Sequence, residues 1–211
     1  MEAQMQTQHP FAVITPTLDG DVLAVLAAAD AAHTVGGVQQ LLGGRSYEGV
    51  RKVLNRLTAQ GTVTSQRVGG TTGYRLNREH LAAGPIIALA NLRSALVDRV
   101  RTYVEAWPTP PVWAALFGSA ARGQMRPDSD IDIFVVDPAV DSARWEVLVD
   151  ELSREVTRWT GNDTRVLSMT EVEVSAGAMT RDPILQSLLD DALTISGEPT
   201  WLRRAVVKAR S

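Results

Sequence analysis

The sequence predicts an α+β protein of two domains joined by a helix, and three observations carry that expectation. Between residues 18 and 76, helix-period stretches run into a pair of alternating, strand-like stretches around Gly69-Gly70. At Trp107-Pro108-Thr109-Pro110-Pro111 a long helical pattern is stopped by closely spaced prolines. Beyond that point strand-like and helix-like segments alternate, the mark of a small α/β domain with a mixed sheet. The expected divisions are 1–80, a connecting helix over 81–108, and 109–211, as a chain of 211 residues allows.

The N-terminal elements follow from local pattern. Phe11-Ala12-Val13-Ile14 is a short β-prone run, broken by Thr15-Pro16-Thr17. Leu18 to Ala32 reads as a helix, with Val22, Leu23, Leu26 and Ala27 on one stripe and Asp19 and Asp21 in its first turn. A shorter helix over Val35–Leu42 ends at Gly43-Gly44. The third, over 46–60, is capped by Ser46, carries Val50, Val53, Leu54 and Leu57 at i, i+3, i+4, i+7, and stops at Gly61. Alternation around Val63 and Ser65, the Gly69-Gly70 turn and the return through Tyr74-Arg75-Leu76 predict a hairpin loosened by extra residues at its turn. Three helices and a hairpin in this order are those of a winged helix-turn-helix domain.

Residues 79–106 read as one long helix kinked at Pro85. Ile86, Leu89, Leu96, Val100 and Val104 form an apolar stripe too long for a small domain to cover, which predicts a homodimer. A stripe packed inside its own chain is the competing expectation. The C-terminal elements expected are strands at Val112–Phe117, Asp130–Val136 and Thr164–Ser168, with helices at Ser142–Thr160, Asp182–Asp190 and Trp201–Arg210.

Composition excludes several classes. There is no cysteine, hence no disulfide framework and no thiolate metal site, and the 3 histidines (His9, His33, His80) are scattered. The opening MEAQMQTQHP lacks a signal-peptide pattern, and no apolar run approaches the roughly 20 residues that span a bilayer. The expectation is a cytoplasmic protein without membrane partners. A net charge of −3 names no partner.

The chemistry concentrates in LFGSAARGQMRPDSDIDIFVV, residues 116–136. Side chains alternate along a strand at roughly 3.3 Å per residue, so Asp130 and Asp132 share a face while Ile131 and Ile133 enter the core. Carboxylates that close repel, and each raises the other's pKa. A hard divalent cation between them, Mg²⁺ or Mn²⁺, relieves that conflict. Gly118 lets backbone approach a ligand. Ser119, the turn Ala120-Ala121-Arg122 and the Arg122 charge suit phosphate. The bland reading is an exposed edge strand after an ordinary turn.

Gly118-Ser119-Ala120-Ala121-Arg122-Gly123 and Ser129-Asp130-Ile131-Asp132-Ile133-Phe134-Val135 resemble the signature of the minimal nucleotidyltransferases of the DNA polymerase β superfamily, GSxARG followed by SDIDhhV. The resemblance covers about residues 110–200. It implies a Mg²⁺-dependent nucleotidyltransferase fold that binds NTP. Gly118, Ser119, Arg122 and Ser129 would hold the nucleotide, and Asp130 and Asp132 would be the metal-binding, catalytic carboxylates. It also implies a third carboxylate in the middle of the next strand. Neither face of Thr164–Ser168 supplies one, Asp163 lies at the strand's edge, and Glu171 and Glu173 lie beyond its end.

From Arg45 to Arg78 the chain is basic, with Glu48 the one acid. The buried stripe of the third helix leaves Tyr47, Arg51, Lys52 and Asn55 outward. Arg51 and Lys52 suit guanine edges or phosphates, and Asn55 suits adenine. Arg45, Ser46, Arg56, and the hairpin residues Arg67, Thr71 and Arg75 complete the expected contacts with double-stranded DNA. A winged helix serving only protein contacts is the alternative. Residues 15–80 resemble bacterial winged-helix regulators. The order of the two domains is similar to that of a family of bacterial two-domain proteins. Three functions follow: a DNA-binding nucleotidyltransferase that transfers NMP to an unnamed acceptor; a transcriptional regulator that only senses nucleotide; an antitoxin-like component of a toxin–antitoxin pair.

Overall fold

The computed structural model describes residues 5–126, 128–139 and 142–210. They form two compact units: His9–Leu92, and residues 5–8 together with 93–210. Among the described residues, no helix is long and apolar enough to cross a membrane.

The first unit opens with a 3₁₀ turn at Pro10–Val13, where the sequence suggested a strand. Pro10 starts it, and a residue with fixed φ and no N–H is poorly suited to a strand ladder. Helices α1 (Leu18–Ala28), α2 (Val35–Leu42) and α3 (Tyr47–Ala59) follow. Thr34 and Ser46 cap the latter two by accepting the Gly37 and Gly49 amides. Strands β1 (Val63–Val68) and β2 (Thr71–Leu76) pair antiparallel. The expected looseness of their turn is absent: Val68 pairs with Thr71, leaving only Gly69-Gly70 between, and Gly69 has φ +61°. Val22, Leu26, Val38, Val50, Leu54 and Val63 are buried at the centre.

The long helix expected over 79–106 is two helices, α4 (Ala83–Ala90) and α5 (Leu92–Glu105). Asn91 interrupts them: its amide bonds to the Ile87 and Ala88 carbonyls, and its side chain donates to the Ile87 carbonyl. Pro85 makes no kink, because it lies in the first turn of α4, where no intrahelical donor is required. The apolar stripe is divided accordingly. Ile86 and Leu89 pack in the core of the first unit, and Leu96, Val100 and Val104 are buried within the chain. The uncovered stripe from which a homodimer was expected therefore does not exist.

The second unit is built on a sheet of order β5-β4-β3-β6, formed by β3 (Trp113–Phe117), β4 (Ile131–Asp137), β5 (Thr164–Thr170) and β6 (Leu193–Ser196). β4 runs parallel to β5 and antiparallel to β3. The connections are α6 (Gly118–Arg122), α7 (Ser142–Thr160), α8 (Glu171–Thr180) and α9 (Pro183–Asp191), with α10 (Trp201–Arg210) at the end. α8, α9 and α10 pack Val174, Leu185, Leu188 and Leu202 against Trp113 and Phe134 on one face. On the other, Trp145 of α7 donates to the Ser168 hydroxyl. Ile131, Ile133, Phe134, Val135 and Val136 are all buried, as a strand covered on both faces requires. β6 and α8 lie outside the expected elements. In Glu171-Val172-Glu173-Val174 the alternation looks strand-like. Thr170 and Glu173 instead form a reciprocal capping box, which starts a helix.

Candidate functional site

The site is assembled where β3 gives way to α6 and β4 begins. Gly118 has φ +68°, a conformation that favours glycine. Space imposes the same choice: a Cβ here would stand 2.6 Å from Asp132 Oδ2. Asp132 pairs with Phe117, the last residue of β3, so the ladder itself sets its carboxylate against the glycine turn. α6 is a single turn of five residues. A helix this short carries little dipole at its N-terminus.

Asp132 alternates along β4 with Phe134 and Val136, which pack with α8–α10, and Asp130 stands immediately before the strand. Burial, and after it the Asp130 charge, raise Asp132 above the ordinary carboxylate value; Arg165 and Arg122 act in the opposite direction. Arg165 is the residue the sequence reading passed over. In the parallel register it stands opposite Asp132, and its Nη2 lies 2.8 Å from Asp130 Oδ2. Near the start of β5, where no carboxylate faces the pair, Arg165 supplies a cation instead. Asp163 is exposed before β5, and Glu173 is held in the α8 capping box.

Two other expected residues have partners of their own. Arg122 Nη1 lies 2.7 Å from Asp191 Oδ2 at the end of α9. The Ser129 hydroxyl accepts the Arg126 amide at 2.7 Å, closing the turn ahead of Asp130. Ser119 is partly buried beside Gly118.

Among the described residues, no group of three or more His, Asp or Glu side chains could hold a metal. The two carboxylates fit a hard divalent cation only as a partial set, needing oxygens from a ligand and water. With no side chain at Gly118, the Asp132 carboxylate packs directly against the turn's backbone.

In the first unit, α3 buries Val50, Val53, Leu54 and Leu57 and turns Tyr47, Arg51 and Lys52 outward. Tyr47, Arg51 and Asn55 line a polar groove of about 480 Å³ with Thr34, Thr71 and Thr72, so helix and hairpin candidates do meet. Much of the expected positive charge is already paired. Arg51 contacts Glu48 at 2.7 Å, Arg45 contacts Asp21 at 2.7 Å, and Arg56 pairs with Asp19. Asn55 accepts from the Tyr74 hydroxyl at 3.3 Å, and Ser46 is committed to its cap. Lys52, Arg67, Thr71 and Arg75 are exposed. Asp19 and Asp21 come from α1, outside the basic window read in the sequence.

Residues 97–191 match the family model described as "Nucleotidyltransferase domain". No curated protein matches the chain. Among solved structures, a toxin–antitoxin with AMP-PNP is similar at 17% identity, over 54% of this chain and 82% of that one, with a TM-score of 0.40. A tri-AMPylated Shewanella oneidensis HEPN toxin in complex with MNT antitoxin gives 17% identity over 56% of this chain and 82% of that chain, with a TM-score of 0.38. TrmBL2, an archaeal chromatin protein, gives 14% identity over 82% and 71%, with a TM-score of 0.27.

Proposed function

We propose that the nucleotidyltransferase domain of this chain binds a nucleoside triphosphate with Mg²⁺, and that the N-terminal unit is a winged helix that engages duplex DNA. The observation that carries the nucleotide reading is the Gly118 turn folded against Asp132, where a side chain of any size would collide with the carboxylate. Gly118 and Ser119 would receive the phosphates, and Asp130 and Asp132 would hold the cation. Bound there, the cation would supply charge neutralisation and Lewis acidity at the phosphoryl oxygens. Calorimetry with Mg-ATP, Mg-GTP and Mg-CTP tests this. Asp130→Asn with Asp132→Asn should abolish the heat of binding in a folded protein, and undiminished binding rejects the assignment.

Arg165 favours a second reading within the same site, that of nucleotide binding without efficient transfer. A guanidinium paired with Asp130 gives the carboxylates an internal counterion where a further metal ligand would be needed. Incubation with labelled NTP, Mg²⁺ or Mn²⁺ and lysate separates the two: label transferred to an acceptor supports the transferase, and its absence with intact binding supports the sensor. In the sensor, nucleotide changes DNA affinity. The chain passes to and from the N-terminal unit at Gln8 and Arg93, and Arg93 bonds the Ala121 carbonyl of α6 at 3.1 Å.

A further inference from the structure

We infer that Thr7, Gln8 and Asn162 are positioning residues for the Gly118 turn, holding it in the shape that receives a phosphate; the functional part of this inference rests on the nucleotide reading above. Residues 5–8 belong to the C-terminal unit although the whole first unit separates them from it in sequence. Met5 and Thr7 are buried there. The Thr7 hydroxyl donates to the Ala120 carbonyl at 3.2 Å, inside α6. Gln8 pairs with the Met125 backbone in both directions: its side-chain amide donates to the carbonyl, and its Oε1 accepts the Met125 amide at 3.2 Å.

Asn162 is fully buried and its side chain makes three bonds. Oδ1 accepts the Met5 amide at 2.9 Å, while Nδ2 donates to the Met5 carbonyl at 3.1 Å and to the Ser129 carbonyl at 3.0 Å. Ser129 immediately precedes Asp130. One buried amide thus joins this strap to the residue that delivers the first carboxylate. Gly123, at φ +65°, would place a Cβ 3.8 Å from Gln8 Cβ and 3.5 Å from Arg93 Nη1.

The backbone from Gly118 to Ser129 is therefore gripped at Ala120, Ala121, Met125 and Ser129 by residues 7, 93, 8 and 162. A five-residue helix has too few internal bonds to hold a left-handed glycine turn against a carboxylate by itself. Distant hydrogen bonds to its carbonyls and its exit loop supply that constraint, and ligand sites tolerate little misplacement.

The test is amide hydrogen exchange on the full chain without nucleotide, comparing wild type with Thr7→Val/Gln8→Ala and with Thr7→Ser. The double variant should exchange at least tenfold faster over Ser119–Met125, as loss of the three hydrogen bonds made by Thr7 and Gln8 implies. Amides of α7 should be unchanged, and Thr7→Ser, which keeps the hydroxyl, should match wild type. Unchanged exchange over Ser119–Met125 overturns the inference, and so does protection lost equally in α7, which would make the strap a general staple. If the double variant does not fold, Gln8→Ala alone is measured against the same criteria. A Mg-ATP titration forms the second arm: the double variant should bind several-fold more weakly, and equal affinity with a loosened turn overturns the positioning role. Wild type that binds no nucleotide rejects the nucleotide reading instead, and the exchange data still decide whether the strap holds the turn.

Discussion

Arg165 and Asp130 are 2.8 Å apart, and the same arginine stands opposite Asp132 across the parallel β4–β5 pairing. One guanidinium therefore serves both members of the carboxylate pair, in a position the strand order dictates.

Replacing that cation should change what the carboxylates bind. In Arg165→Asp the internal counterion is lost and a third oxygen donor faces Asp132, so Mn²⁺ affinity should rise at least tenfold. The Mn²⁺ electron paramagnetic resonance signal reports it directly. Equal or weaker binding would show that Arg165 does not compete with the cation.

Asp132 should cost stability in exchange for its role. Its folded pKa is raised by burial and then by Asp130. The folded state then holds that proton more tightly than the unfolded chain, and stability falls as pH rises from the ordinary carboxylate value through the raised one. Asp132→Asn removes that loss. The variant should melt a few degrees higher at pH 7, about 2 °C or more for each kcal/mol in a chain of this size. Its advantage should vanish well below the ordinary carboxylate value. Calorimetric scans at several pH values check it, and a variant less stable than wild type at neutral pH contradicts it.

Gly118→Ala should fail twice over. It places a β-carbon in a left-handed conformation and drives it to 2.6 Å from Asp132 Oδ2. Strain of this kind costs about 1–3 kcal/mol. Urea unfolding should show that loss, and Mg-ATP affinity should drop by an order of magnitude. A fully stable Gly118→Ala protein with native affinity would remove the cradle from the site.

Releasing the paired arginines should strengthen DNA binding. Glu48→Gln leaves Arg51 uncompensated on the outward face of α3, and Asp21→Asn does the same for Arg45. Each should raise affinity for a duplex several-fold at low salt and steepen the dependence on salt, because more phosphate charge is neutralised. Fluorescence anisotropy with a labelled duplex measures both. Unchanged affinity in the two variants would separate this surface from DNA.

Features set by a few neighbouring residues were legible in the sequence. The stripe of α3, the Gly69-Gly70 hairpin, and the shared face of Asp130 and Asp132 all follow from side-chain period and from what glycine alone permits. Helix α8 begins at a local signal, the Thr170–Glu173 capping box, against the alternation of residues 171–174. What tertiary structure alone decided was which distant groups meet. Arg165 reaches Asp130 only after α7 returns the chain to lie parallel to β4, and Asp19 and Asp21 neutralise Arg56 and Arg45 only once α1 packs near α3. Residues 5–8 leave their sequence neighbours for the other unit, where Asn162 bonds Met5, Ala120 bonds Thr7 and Met125 bonds Gln8. Period and backbone sterics act within about a turn or a hairpin, whereas a charge or a buried amide finds its partner through space, at distances the chain order does not contain.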